Sequence, residues 1–164
     1  MIIRSAKPSD MPSVHLMAHD TWGGNRTTAE HVAYCLSSPK YAKGRWFVLE
    51  HEGEVKSALI CYRNTFGLPE NAIGIGSVAT TPSQRRKGFA SNLMQVVIAK
   101  YSEDEGVKAF FLYSDVSTAI YERLGFIVLP KELQRYKASV GMLRPVGISA
   151  RSLLSGAFRP PDYF

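Results

Sequence analysis

Three consecutive cations and a glycine, Arg85-Arg86-Lys87-Gly88, lie between an apolar stretch ending at Val78-Ala79-Thr80-Thr81-Pro82 and an amphipathic one opening at Phe89-Ala90-Ser91. Residues of these types in this order can hold an anion with several oxygens. The first N–H groups of a helix have no partner within it and face outward with the positive end of its dipole. A glycine lets main chain approach an anion with no Cβ in the way, and guanidinium planes grip phosphate oxygens with paired hydrogen bonds. The chain has neither a P-loop, G-x-x-x-x-G-K-S/T, nor a dinucleotide fingerprint, G-x-G-x-x-G. The strand in front and the helix behind are what set this cluster apart from an ordinary solvated basic patch, which stays the alternative.

The elements that must position this loop are legible in outline. Strands are predicted at residues 2–4, 46–49, 55–62, 72–80, 107–113 and 126–129, with one more at 135–142. Helices are predicted from Pro8-Ser9-Asp10 through Ala18, from Thr27 or Thr28 with Glu30 to about Ser37, from about Gly88 to Tyr101, and over 116–124. Residues 21–25 read as a loop, and His51-Glu52-Gly53-Glu54 as a hairpin turn. Gly74 and Gly76 inside a strand mark a bulge or a close backbone approach. Phe89, Leu93, Val96 and Val97 form the stripe that the 88–101 helix is expected to bury. Hairpin strands followed by strand-helix-strand-helix-strand give an α/β (α+β) class with a mixed sheet.

The 164 residues suit one domain, 1–164, with 45% hydrophobic and 21% charged residues as in a folded globular protein. No apolar run approaches ~18 residues, which excludes a membrane-spanning helix, and the N-terminus lacks a signal-peptide layout, so the cytoplasm is the expected compartment. Cys35 and Cys61 read as buried free thiols. A net charge of +6 calls for an anionic partner, either nucleic acid or a compact polyphosphate cofactor. Residues 144–164, rich in Pro, Gly, Ser and Arg, stay unplaced, with Phe158, Tyr163 and Phe164 free to dock on the domain or on a second copy in a homodimer.

A second constellation, Ser114 to Phe126, presents a tyrosine on a short helix that ends at a glycine: Tyr121-Glu122-Arg123-Leu124-Gly125-Phe126. With this pair of motifs the chain resembles the GNAT superfamily of acetyl-CoA-dependent N-acetyltransferases. Arg85-Arg86-Lys87-Gly88-Phe89-Ala90 meets the family's pyrophosphate loop, Q/R-x-x-G-x-G/A, and Tyr121 to Phe126 meets its Tyr-Glu-x-Leu-Gly-Phe signature. The opening Ile3-Arg4-x-Ala6-x-Pro8-x-Asp10 agrees too, and the likeness covers about residues 2–130.

The resemblance implies a GNAT-like fold whose mixed sheet splays where acetyl-CoA enters. Main chain of Val78, Ala79 and Thr80 would pair with the pantetheine, and the amides of Arg86, Lys87, Gly88, Phe89, Ala90 and Ser91, with Arg85 beside them, would hold the pyrophosphate. Many relatives carry Asn where this chain has Ser114, and Ser114 or Asp115 would substitute for it on the pantetheine arm. Tyr121 would protonate the departing thiolate, a task that suits a phenol with an ordinary pKa of about 10. A freed N–H at Val78 or Thr80 would polarise the thioester carbonyl. The implied function is acetyl transfer to a primary amine, on a small molecule or a peptide, by direct attack in a ternary complex.

Other readings stay open. Tyr121 also fits a half-buried packing aromatic. The scaffold could serve as a non-catalytic acetyl-CoA sensor, or the basic residues after Leu129 could contact an aminoacyl-tRNA, although no RNA-recognition motif is present. The sequence does not identify the general base: Glu50, Asp20 and His51 are candidates, each also an ordinary surface or structural group, and a water chain would also serve. Trp22 either lines the acceptor pocket or packs. His15 and His19 stand four apart, but no further ligand joins them and no metal is expected.

Overall fold

The periodicities of the sequence become seven strands and seven short or medium helices in the computed structural model, which describes residues 1–164. The strands are β1 Ile2–Ser5, β2 Arg45–His51, β3 Glu54–Tyr62, β4 Ala72–Thr80, β5 Ala109–Ser114, β6 Ile127–Val128 and β7 Val140–Pro145. The helices are α1 Met11–Leu16, α2 His19–Trp22, α3 Thr28–Leu36, α4 Pro39–Ala42, α5 Phe89–Ser102, α6 Ala119–Glu122 and α7 Ala150–Leu153. One mixed sheet runs β1-β2-β3-β4-β5-β7-β6. Its β4–β5 pair is parallel, whereas β1–β2, β2–β3, β5–β7 and β6–β7 are antiparallel. No helix is long and apolar enough to cross a membrane. The chain divides into two compact units, Met1–Cys61 with Ser77–Val97, and Tyr62–Gly76 with Ile98–Phe164.

In the first unit, Val14 and Met17 pack on Val48 and Ala58, joined by Trp46 and Ala79. Arg4 on β1 holds two carboxylates, Asp10 at 2.6 Å and Glu50 at 2.8 Å, and Asp10 also accepts the Lys7 N–H. This occupies Glu50, one candidate base, with a structural cation. Helix α3 opens on the capping box visible in the sequence: Glu30 N–H donates to Thr27 Oγ1, and Thr27 N–H to Glu30 Oε2. The first helix ends earlier than expected, at Leu16. Ala18 leaves the helical region (φ −119°, ψ 18°), and the chain restarts as α2 through a 2.8 Å bond from Trp22 N–H to the Ala18 carbonyl. Part of the predicted 21–25 loop is therefore helical, and Trp22 is 42% exposed.

His15 and His19 take separate partners. The His15 ring stacks on Tyr41 and meets the edge of Trp46, while His19 Nε2 lies 2.8 Å from the Arg26 carbonyl. Both Cys35 and Cys61 are buried free thiols.

In the second unit, β4 joins β5 over Ala72–Gly74, and β5 pairs along its whole length with β7. Several expected bounds shift for local reasons. A turn closed by Val107 N–H and the Asp104 carbonyl delays β5 to Ala109. Ser114 turns onto Val116, so the helix expected over 116–124 contracts to α6. The Gln134 side chain accepts from Gly141 N–H and donates to the Leu129 and Gly141 carbonyls, which keeps 135–139 out of the ladder and moves the last strand to β7.

The tail that the sequence left unplaced is docked on this unit. Tyr113 Oη donates to the Pro161 carbonyl, Asp162 N–H to the Phe66 carbonyl at 2.7 Å, and Arg135 to Asp162 at 2.8 Å. Phe164, 4% exposed, lies among Tyr62, Phe66 and Tyr113. Where the sequence predicts a bulge or a close backbone approach at Gly74 and Gly76, this ring comes close at Gly74: a Cβ there would stand 2.7 Å from Phe164 Cζ, whereas one on Gly76 would be in ordinary contact, 3.4 Å from Phe164 Cδ2.

Two tests follow from this packing. Gly74→Ala is expected to destabilise by about 1–3 kcal/mol through overpacking, read from urea denaturation. Phe164→Ala in the same chain should recover part of that loss, and an additive double variant would argue against the contact. The second test is pH. Burial lowers His15 to about 4 and lowers His31 as well, whereas both titrate near about 6.5 in an unfolded chain. Over that window the unfolded chain takes up protons that the folded one refuses, so stability is full above about pH 6.5 and falls as pH drops toward about 4. A denaturation midpoint equal at about pH 7 and about pH 5 would contradict this, and His15→Phe should flatten the dependence.

Candidate functional site

The basic loop is built at the end of β4. Ser77 takes a left-handed φ of +46°, which interrupts the regular strand. Beyond it the strand is tied to β3: Thr81 N–H donates to the Lys56 carbonyl at 3.0 Å, and the buried Ser57 hydroxyl donates to the Ala79 carbonyl at 2.7 Å. Main-chain groups alternate sides along a strand. Ala79 and Thr81 therefore face β3, while Val78 and Thr80 point to the opposite edge. The expectation that all three of Val78, Ala79 and Thr80 offer main chain to a ligand thus narrows to Val78 and Thr80.

After a turn at Pro82–Gln84 the chain reaches the cations. Arg86 and Gly88 both have positive φ, +65° and +83°, and nothing lies within 4 Å of where a Gly88 Cβ would be. Left-handed residues in such a turn make main-chain N–H groups converge on an anion-sized concavity. The first helical bond of α5 runs from Asn92 N–H to the Gly88 carbonyl, so the N–H groups of Phe89, Ala90 and Ser91 precede the helical ladder. The Phe89 ring, half-buried, meets His51 at 5.6 Å.

The three cations do not behave alike. Lys87 Nζ touches only the Gln84 side chain at 2.9 Å, and Arg86 is exposed. Arg85 is turned away: Nη1 and Nη2 grip the two Asp20 oxygens at 2.7 Å each, Nη2 also reaches the Met17 carbonyl, and Nε the Thr80 carbonyl. This pairing lowers the Asp20 pKa below the ordinary carboxylate range. A carboxylate so held is a poor base, which removes Asp20 from the candidates, while Glu50 is already taken up by the Arg4 guanidinium. The Asp20 partner of Arg85 was missed from sequence, because 65 residues separate the two.

Ser114 and Tyr121 belong to the second unit. Ser114, 2% exposed, donates its hydroxyl to the Val116 carbonyl at 2.9 Å and accepts Val116 N–H at 3.3 Å. Its side chain is thereby committed to a local turn. Tyr121 lies half-buried on α6, its ring edge-on to Phe126 at 6.3 Å, and its carbonyl accepts from Leu124 and Phe126 N–H. Burial, then the charge of Asp115, raises the Tyr121 hydroxyl above its ordinary pKa, which keeps it a proton donor at neutral pH. Gly125 (φ +86°) closes the turn where the Arg144 guanidinium crosses to the Leu124 carbonyl at 2.8 Å. Asp115 itself accepts from Ser139 and from Tyr163 Oη.

The family model for an Acetyltransferase (GNAT) domain matches residues 2–129. No curated protein matches the sequence significantly. Among solved structures, a GNAT family N-acetyltransferase (YhbS) from Escherichia coli in complex with CoA superposes with a TM-score of 0.71 at 18% identity, over 99% of this chain and 89% of that one. The ribosomal-protein-S18-alanine N-acetyltransferase from Escherichia coli gives 0.65 at 17% identity, over 93% and 97%. N-acetylglutamate synthase from Neisseria gonorrhoeae, complexed with coenzyme A and N-acetyl-glutamate, gives 0.65 at 17% identity, over 90% of this chain and 35% of that one. At these identities the likeness is one of fold.

Proposed function

We propose that this chain, which belongs to the GNAT acetyltransferase family, transfers an acetyl group from acetyl-CoA to a primary amine by direct attack in a ternary complex, as a single N-acetyltransferase domain. The observation that carries the reading is the loop at the head of α5, where two left-handed residues and three N–H groups outside the helical ladder stand beside two outward cations. That cradle fits a pyrophosphate: a Cβ at Gly88 would meet nothing, and Arg86 and Lys87 are placed to reinforce main-chain contacts. CoA stands in the YhbS and N-acetylglutamate synthase structures of the same fold.

Acetyl-CoA would supply the thioester; the protein's own groups do the rest. Val78 and Thr80 offer main-chain N–H groups on the edge away from β3, as a strand-like partner for the pantetheine and a donor to the carbonyl oxygen as charge develops there. Tyr121, kept protonated by its surroundings, gives its proton to the departing sulfur. With Glu50 and Asp20 held by arginines, the amine loses its proton to His51 or to water. The acceptor is a small-molecule or peptide amine. An RNA-directed role draws less support, since Arg135 pairs with Asp162 and Arg144 is bound to the Leu124 carbonyl.

Tyr121→Phe is expected to lower kcat about 10²–10⁴-fold while leaving acetyl-CoA affinity little changed. A free-thiol release assay over an amine panel, paired with calorimetric CoA titration, reads both, and near-normal turnover in the variant would remove the role. CoA binding with no turnover on any amine would instead favour a sensor. Replacing Arg86 and Lys87 together with Ala should weaken CoA binding and flatten its salt dependence. Unchanged affinity and slope would move the pyrophosphate elsewhere.

A further inference from the structure

The geometry points to a division of labour among the loop cations: we infer that Arg85 is the anchor of the loop, not one of its anion ligands, and that Asp20 is the positioning residue that holds it there. The inference rests on the acetyl-CoA reading of the same loop.

A guanidinium has five N–H donors, and Arg85 directs them at four acceptors within the protein. Nε donates to the Thr80 carbonyl at 3.2 Å, Nη1 to Asp20 Oδ2 and Nη2 to Asp20 Oδ1 at 2.7 Å, and Nη2 also to the Met17 carbonyl at 3.0 Å. Swinging out to a phosphate would break all four bonds and strand a carboxylate and two carbonyls. An isolated exposed ion pair would contribute little. This one is side-by-side bidentate and shares its cation with two main-chain acceptors, the arrangement in which such pairs count.

The anchor points are themselves fixed. Met17 is 2% exposed and belongs to the packed cluster of Val14, Val48 and Ala58, and Thr80 Oγ1 lies 3.0 Å from the buried Ser57 hydroxyl. Arg85 therefore ties the end of β4 to the end of α1 and to α2. Between this fixed point and the first turn of α5, the left-handed pair Arg86 and Gly88 has its N–H directions set in advance, so little ordering remains to be done when an anion arrives. Asp20 also cancels the charge of Arg85, which leaves the outward field of the loop to Arg86 and Lys87.

Two readings of Asp20 predict opposite signs. If it positions Arg85, Asp20→Asn weakens CoA binding. If it competes with phosphate for Arg85, the same change tightens it. Calorimetric titration of CoA into the full chain over a salt series is expected to give about tenfold weaker binding for Asp20→Asn and for Arg85→Gln, with the double variant no weaker than either single one. Arg85→Gln should keep the wild-type salt slope, whereas Arg86→Ala and Lys87→Ala should each flatten it. Arg85→Lys, which keeps the charge and loses the bidentate grip, should weaken binding nearly as much as Arg85→Gln. Thermal melts of each variant confirm that folded protein is compared. Tighter binding in Asp20→Asn, a flattened slope in Arg85→Gln, or wild-type affinity in Arg85→Lys each overturns the anchor. If wild-type protein fails to bind CoA, or Arg86→Ala and Lys87→Ala leave affinity and slope untouched, the acetyl-CoA reading of the loop falls and the inference with it.

Discussion

Strand β4 cannot run regularly through Ser77. Its φ of +46° is a conformation that a residue with a side chain adopts at a cost of order 1–3 kcal/mol, sustained only when its surroundings demand it. Before this point Ala72–Gly74 lies in a parallel ladder with β5; after it, Ala79 and Thr81 are fixed toward β3 by Ser57 and Lys56. The chain also passes from one compact unit to the other between Gly76 and Ser77. The interruption sets which main-chain groups of residues 78–80 face away from β3, and from where the basic loop departs. The acyl-transfer proposal depends on both.

The same strand carries the two glycines whose place inside it marked a bulge or a close backbone approach. Gly74 is bare because the ring of Phe164 occupies its Cβ space, while at Gly76 the same ring lies at ordinary contact distance. The tail that carries Phe164 is held through Asp162, Arg135, Tyr113 and Tyr163, the last of which donates to Asp115, six residues before Tyr121. Asp115 in turn contributes to keeping the Tyr121 phenol protonated. In this unit the tail and the residue assigned the proton are thus linked through one carboxylate.

What the sequence made legible was local. The Thr27–Glu30 capping box, the hairpin at residues 51–54, the glycine turn at Gly125 and the strand-loop-helix order around Arg85 are each written within a few residues, and each forms. The family follows from two such motifs. What was illegible was non-local. The Asp20–Arg85 grip and the Phe164–Gly74 contact join residues far apart in the chain, with no periodicity to announce them. The buried stripe of α5 also differs from the expected one. Leu93, Met94, Val97 and Ile98 are buried, and Val96 is 47% exposed, because an apolar residue next to a stripe is not thereby part of it. Ser114 shows how a pattern can suggest a ligand where local hydrogen bonding has already committed the side chain.

The most direct test of the account is a crystal structure of the full chain with CoA. The account predicts the pyrophosphate on the amides of residues 86–91, the pantetheine on the main chain of Val78 and Thr80, and the Arg85 guanidinium still on Asp20. A pyrophosphate bound away from this loop would contradict it.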